Sequence, residues 1–382
     1  MTASAYQRVP HGHTDLILAT AYNFYGTRRA SASSDHRLRV WDRDPKTGQW
    51  TVVDAWTAHS AEITDVKWNG PYVGEHIGSI GEDGYLRIWH EDVNQAPNSG
   101  RRFRKIFEQM TATGVPYMSL DFKNLGTETY LAVVTRDGFL SVQEPEDHDE
   151  LSAWQVMWSD YLFKEPPPRT QETAFRLSWH KEKMPAWPAL LAGLDRRSLS
   201  LVASTGEVAK VFRTDKERKF YVAATIEGAK DLVRDVHWAE GSVRGFDIVA
   251  TASKDGFARV YELHTPGAAA LPKTTMPSSP ALNGGSPKSP LSPAQSQTRS
   301  GIGAGLAGGA NGRREDNASA PGAVKQEVRL VAELPMHSAP WRVTMSTEAD
   351  LMVSTGDDGT VRVWKKAVDG KWLEAAEIDG SR

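Results

Sequence analysis

The chain has 382 residues, 13 tryptophans and no cysteine, and its 45 Lys and Arg against 48 Asp and Glu leave a net charge of −3. The missing cysteine excludes disulfides, thiolate nucleophiles and Cys-type zinc sites, and the near-neutral charge provides no global basic field for nucleic acid. No apolar run approaches the roughly 18 residues of a membrane span, and the first residues lack an apolar signal core, so a soluble protein of a reducing compartment is expected.

One short pattern recurs along the chain: small or polar residues, an Asp-Gly-like turn, then alternating apolar residues ending in an aromatic. It reads SSDHRLRVWD (33–42), GEDGYLRIWH (81–90), TRDGFLSVQE (135–144), SKDGFARVYE (253–262) and GDDGTVRVWK (356–365), with a degenerate copy, GEVAKVFR, at 206–213. A turn followed by period-two alternation predicts a hairpin entering a half-buried strand. Each copy has another apolar run before it (TDVKW 64–68, RDVHW 234–238, WRVTM 341–345) and one after it (WTVVDAW 50–56, FYVAATI 220–226, KWLEAAEI 371–378). Four strands per unit and six units predict an all-β, six-bladed propeller. For the degenerate fourth unit the predicted strand pair is PALLAGL (188–194) with EVAKVFR. The repeats run longer than the roughly 40–45 residues usual for this class, and the surplus falls in the loops at 144–152, 165–173 and 180–188.

Fixed offsets inside the unit add a second signal. Asp35, Asp83 and Asp358 precede Trp41, Trp89 and Trp364 by six residues, and Asp255 precedes Tyr261 by the same step. Ser31, Ser79, Ser354 and Thr251 stand four residues before those aspartates, and His13, His59 and His337 stand further upstream of the first three. These are the positions of the WD repeat, where His, Ser or Thr, Asp and Trp form a buried hydrogen-bonded network that satisfies imidazole and indole N–H groups. His11, His13 and Asp15, or His59 and Glu62, could suggest a metal or a general base. The repeat role of the two histidines is the preferred reading, and no metal or cofactor site is assigned. His36, His90, His148 and His180 read as turn or surface residues. No nucleophile elbow, P-loop or His-Glu-x-x-His pattern occurs, and no enzyme is expected.

Residues 266–325 differ in composition: they are rich in Gly, Pro and Ser and contain no Phe, Tyr or Trp. Such a segment buries too little apolar surface to offset its ordering entropy and is expected to be disordered. The expected organisation is therefore blades one to five over 1–265, an insert in blade five over 266–325, and the end of blade five with blade six over 326–382. Within the insert, Ser279, Ser286, Ser289 and Ser292 each precede a proline and are candidate sites for proline-directed phosphorylation.

The order of motifs goes beyond the generic repeat. HTDLILATAYNFYGTRRASASSDHRLRVWD, WTAHSAEITDVKW and APWRVTMSTEADLMVSTGDDGTVRVWKK resemble a family of small WD-repeat nucleoporins, the homologues of the coat protein Sec-thirteen. The resemblance is clearest in blades one, two and six. It implies an open propeller, completed in trans by a β-blade from a helical scaffold nucleoporin, within the Y-shaped complex of the nuclear pore. It implies as further partners the other Y-complex nucleoporins and a vacuole- or lysosome-associated coat regulating TOR signalling, with membrane association only through such assemblies. The edges expected to receive the donated blade are Leu16, Ile17, Leu18 and Ala19 in blade one, and Trp341, Val343 and Met345 in blade six. Two other readings stay open: a vesicle-coat subunit of the same fold, and a closed, peptide-reading propeller such as a ubiquitin-ligase receptor or chromatin reader.

Overall fold

The alternating runs that follow each hairpin turn become central strand pairs, and each pair gains one inner and one outer neighbour. A computed structural model describes residues 10–163, 168, 171–241, 244–267, 322–336 and 338–379. Blade one contains β1 (Ile17–Tyr22), β2 (Arg28–Ser33), β3 (Arg37–Arg43) and β4 (Trp50–Thr57). Blade two contains β5 (Ile63–Trp68), β6 (His76–Gly81), β7 (Tyr85–Glu91) and β8 (Phe103–Met110). Blade three contains β9 (Tyr117–Leu125), β10 (Glu128–Thr135), β11 (Phe139–Pro145) and β12 (Trp154–Tyr161). Blade four contains β13 (Leu177–Trp179), helix α1 (Trp187–Leu191), β14 (Ser200–Thr205), β15 (Val208–Thr214) and β16 (Phe220–Ile226). Blade five contains β17 (Val233–Trp238), β18 (Asp247–Ser253), β19 (Phe257–His264) and β20 (Glu327–Pro335). Blade six contains β21 (Pro340–Met345), β22 (Leu351–Gly356), β23 (Thr360–Lys366) and β24 (Trp372–Asp379).

Every blade is a four-stranded antiparallel meander in sequence order, which makes the protein a six-bladed β-propeller. The hairpin turn needs a left-handed residue, supplied by Gly84 (φ +79°) in blade two and by His36 (φ +66°) in blade one. His36 is thus a turn residue. The Ser-Pro sites at 279, 286, 289 and 292, His337, and residues 268–321 of the expected insert lie outside the described residues. β19 nevertheless pairs with β20 along its whole length, from Phe257 opposite Pro335 to His264 opposite Glu327.

The strand expected at 188–194 is corrected. Trp187–Leu191 forms helix α1, and the partner of β15 is instead Ser200–Thr205. The run has no β-branched residue, carries Pro188 in its first turn, and is closed by Gly193 at φ +103°. Ser200–Thr205 is buried on both faces, whereas Leu191 at the end of the helix is exposed.

Packing between blades follows one rule. The central strands of one blade offer small aliphatic side chains, and the next blade covers them with its opposite face, which carries Trp89 in blade two, Trp364 in blade six and other large side chains in blades three to five. Ala30, Ala32, Leu38 and Val40 of blade one pack with Ile77 and Trp89 of blade two. Ile80, Leu86 and Ile88 continue to Leu120 and Phe122 of blade three. Val134 and Leu140 meet Leu201 and Phe212 of blade four, Val202 and Val211 meet Val249 and Tyr261 of blade five, and Ala250, Ala258 and Val260 meet Met352 and Trp364 of blade six. Fully burying one such aliphatic side chain stabilises by about 1.5–3 kcal/mol, so each interface contributes several times that gross amount. Among the described residues no sixth cluster joins blade six back to blade one. The ring is open there.

Candidate functional site

In blade one the loop before β1 carries His13 onto the indole-bearing face of β2 and β3. His13 Nδ1 lies 2.9 Å from Asp35 Oδ2 and Nε2 lies 2.8 Å from Ser31 Oγ, while Trp41 Nε1 donates to the same hydroxyl at 3.4 Å. Blade two repeats this arrangement: His59 to Asp83 at 2.9 Å, His59 to Ser79 at 2.8 Å, and Trp89 Nε1 to Ser79 at 2.9 Å. One proton arrangement satisfies every group: indole donates to hydroxyl, hydroxyl to Nε2, and Nδ1–H to carboxylate. Burial lowers the pKa of His13 and His59 against the opposing pull of their aspartates, so both rings are neutral. Burial alone would raise the Asp35 carboxyl, but the hydrogen bonds from His13 and from the N–H groups of Thr14 and Arg37 hold it below the usual range.

The other blades are partial versions. In blade six Trp364 Nε1 donates to Ser354 Oγ at 2.9 Å, and Asp358 accepts from Thr360 N–H at 3.0 Å. Blade five has no histidine in the network; Asp255 instead accepts from Lys230 N–H, Phe257 N–H and Arg259, beside the buried Tyr261 and Thr251. Blade three places Val133 and Gln143 at the serine and indole positions, both buried. His180, expected at the surface, is buried instead. Its ring lies 5.2 Å from that of Trp238, and Nε2 is 3.6 Å from Asp247. The loop that carries it turns inward between blades four and five, where Asp247 and Arg213 supply a polar lining. His90 is half-buried and its Nδ1 lies 3.1 Å from His76 Nε2, and His148 Nδ1 accepts from Thr129 N–H. Among the described residues no group of three His, Asp or Glu side chains is arranged to hold a metal ion.

The remaining candidate is the opening itself. In blade five, Ile248, Ala250, Ala252, Ala258 and Val260 form the face that blade six covers, and none is more than 3% exposed. The corresponding face of blade six carries Val353 opposite Val363, Thr355 opposite Val361 and Leu351 opposite Lys365, with Leu373, Ala376 and Ile378 beyond on β24. None of these is buried; Leu351 is 36% and Leu373 57% exposed. On the other side, blade one leaves Leu16, Ile17 and Tyr22 exposed and Leu18 half-buried. The remaining expected edge residues do not face the opening. Ala19 packs into the blade one–two core and Val343 and Met345 into the blade five–six core. Trp341 stacks on the Arg234 guanidinium of blade five, 3.9 Å away. Alternation explains this: in β21 every second residue turns toward blade five. Sequence reasoning missed Val353, Val361 and Val363. LMVST and TVRVW are apolar at these positions, but so are the matching strands of the covered blades, so no local signal sets them apart.

These sheets and networks define a WD-repeat β-propeller. Residues 5–42 and 328–365 match the family model described as WD domain, G-beta repeat. Along most of its length the chain is similar to proteins named nucleoporin SEH1. It is 29% identical to nucleoporin SEH1 of Saccharomyces cerevisiae, over 93% of each chain. It is 28% identical to nucleoporin SEH1 of Chaetomium thermophilum, covering 96% of this chain and 93% of that one. With nucleoporin SEH1 of Danio rerio the identity is 26%, covering 94% and 83%.

Proposed function

We propose that this chain is a structural, non-enzymatic scaffold subunit of the nuclear pore complex, and that a helical scaffold nucleoporin donates a β-blade into the opening between blades six and one. The observation that carries the reading is the pair of uncovered sheet faces, in a chain whose relatives are named nucleoporins along nearly their full length. An apolar face that every other blade buries marks an interaction surface. A donated blade gains on each side the kind of burial that the five internal interfaces already provide, and its backbone can pair at the exposed edges. The proposed location is the nuclear envelope, among other nucleoporins.

The test is calorimetric titration of the full chain with the recombinant helical nucleoporin of the same pore complex, alongside imaging of the tagged chain. Saturable binding that is lost in Val361→Asp, together with a nuclear-rim signal, is expected. Absence of binding with a diffuse cellular signal overturns the proposal.

A further inference from the structure

The two sides of the opening differ in chemistry. Blade six offers the aliphatic face just described. Blade one offers three guanidiniums, Arg29, Arg37 and Arg39, on the same face of β2 and β3 as Trp41. Arg39 stands four residues after the hairpin aspartate, as do Arg87, Arg259 and Arg362 in blades two, five and six. Each of those three meets a glutamate directly opposite on its outer strand: Arg87 with Glu108 at 2.5 Å, Arg259 with Glu333 at 2.7 Å, and Arg362 with Glu377 at 3.6 Å. Opposite Arg39 stands Ala55.

The blade-one arginines take neutral partners. Arg39 donates to the Gly12 carbonyl and Arg37 to the Ala55 carbonyl, and Arg29 lies between the Trp41 and Trp50 rings, 4.8 and 4.9 Å from their centroids. The Nε atoms of all three are buried without a hydrogen-bond partner among the described residues. Asp35 attracts Arg39 at a distance, but its carboxylate is engaged by His13 and by the N–H groups of Thr14 and Arg37. Filling the opening removes water from these guanidiniums, which is costly unless an acid replaces it.

Resting on the donated-blade reading above, we propose that the inserted blade is amphipathic in charge, with carboxylates facing Arg37 and Arg39 of blade one and aliphatic side chains facing Val353, Val361 and Val363 of blade six. A blade neutral or basic on its first face is rejected by uncompensated burial of charge rather than by shape.

The experiment titrates the full-length recombinant helical nucleoporin into the full chain, from about 50 to about 500 mM salt. Arg39→Glu and Arg37→Glu are each expected to weaken binding at least about tenfold, and a carboxylate-to-lysine change in the donated blade to restore the Arg39→Glu variant. Arg39→Met guards against misfolding. It should weaken binding while the isolated chain melts no lower than the parent, whereas Arg87→Met, which takes a cationic partner from both Asp83 and Glu108, melts lower. If Val361→Asp abolishes binding but the arginine variants and salt change it by less than about twofold, the opening is filled and the acidic face is refuted. If Val361→Asp also has no effect, the donated-blade reading fails first.

Discussion

Arg213 of blade four and Asp247 of blade five meet at 2.6 Å with neither side chain more than 1% exposed, so the one fully buried ion pair of the described residues spans a blade interface. Gln326 closes the pair from the side, accepting from Arg213 Nε and donating to Asp247 Oδ2, and the guanidinium lies 5.5 Å from the Trp238 ring. Removing one charge leaves the other buried without its counter-ion. Arg213→Met is expected to destabilise by about 3–5 kcal/mol, and the double variant Arg213→Met with Asp247→Leu to recover most of the loss. Urea unfolding of the three chains checks this; a double variant no more stable than the single would contradict it.

The blade-two network gives a second expectation. Ser79→Ala leaves the Trp89 indole N–H and one imidazole nitrogen of His59 without partners in a dry interface. A loss of about 1–3 kcal/mol is expected. Ser354→Ala should cost less, because the Ser354 hydroxyl donates to the Met336 thioether, a weak acceptor, where Ser79 serves an imidazole. Hydrogen exchange of β6 and β22 in the two variants separates these effects.

Close approach between blades two and three depends on Gly78. A methyl group there would sit 2.7 Å from Leu120 Cδ1 and Phe122 Cε2. Gly78→Ala is therefore expected to destabilise by about 1–3 kcal/mol through overpacking. A thermal midpoint equal to that of the parent would show that the interface can relax.

Acid should unfold the protein through its buried histidines. Burial lowers His76 from 6.5 to about 4 and His180 from 6.5 to about 3; the neighbouring His90 adds to the first shift, while Asp247 opposes the second. The unfolded chain binds more protons in this window, so stability is full above pH 6.5 and falls as pH drops toward those folded values. His76→Gln is expected to flatten the slope between about pH 6.5 and 4. An unchanged slope in chemical denaturation at stepped pH would assign the loss elsewhere.

What could be read from sequence alone was what is local. The hairpin fixes Ser31, Asp35 and Trp41 at constant offsets, so three of the four members of one blade's network lie in a single hairpin, with His13 upstream. PALLAGL misled because a short apolar run reads as strand or helix alike, and only Pro188, Gly193 and the true partner of β15 decide between them. His180 and the Arg213–Asp247 pair depend on residues from separate blades meeting, which no spacing announces. The open faces are harder still: TVRVW in blade six resembles LRIW in blade two, and the difference between them is the absence of a neighbour.

That absence gives blade one an optical property. Trp41 and Trp50 clasp Arg29 on the uncovered face, and Tyr22 sits edge-on to Trp50 at 5.8 Å. Trp50 is only half-buried, so its emission is set by whatever borders that face. Water borders it when the opening is empty, and protein does when it is filled. A shift to shorter wavelength that saturates with added partner would let the unlabelled chain report its own state of assembly.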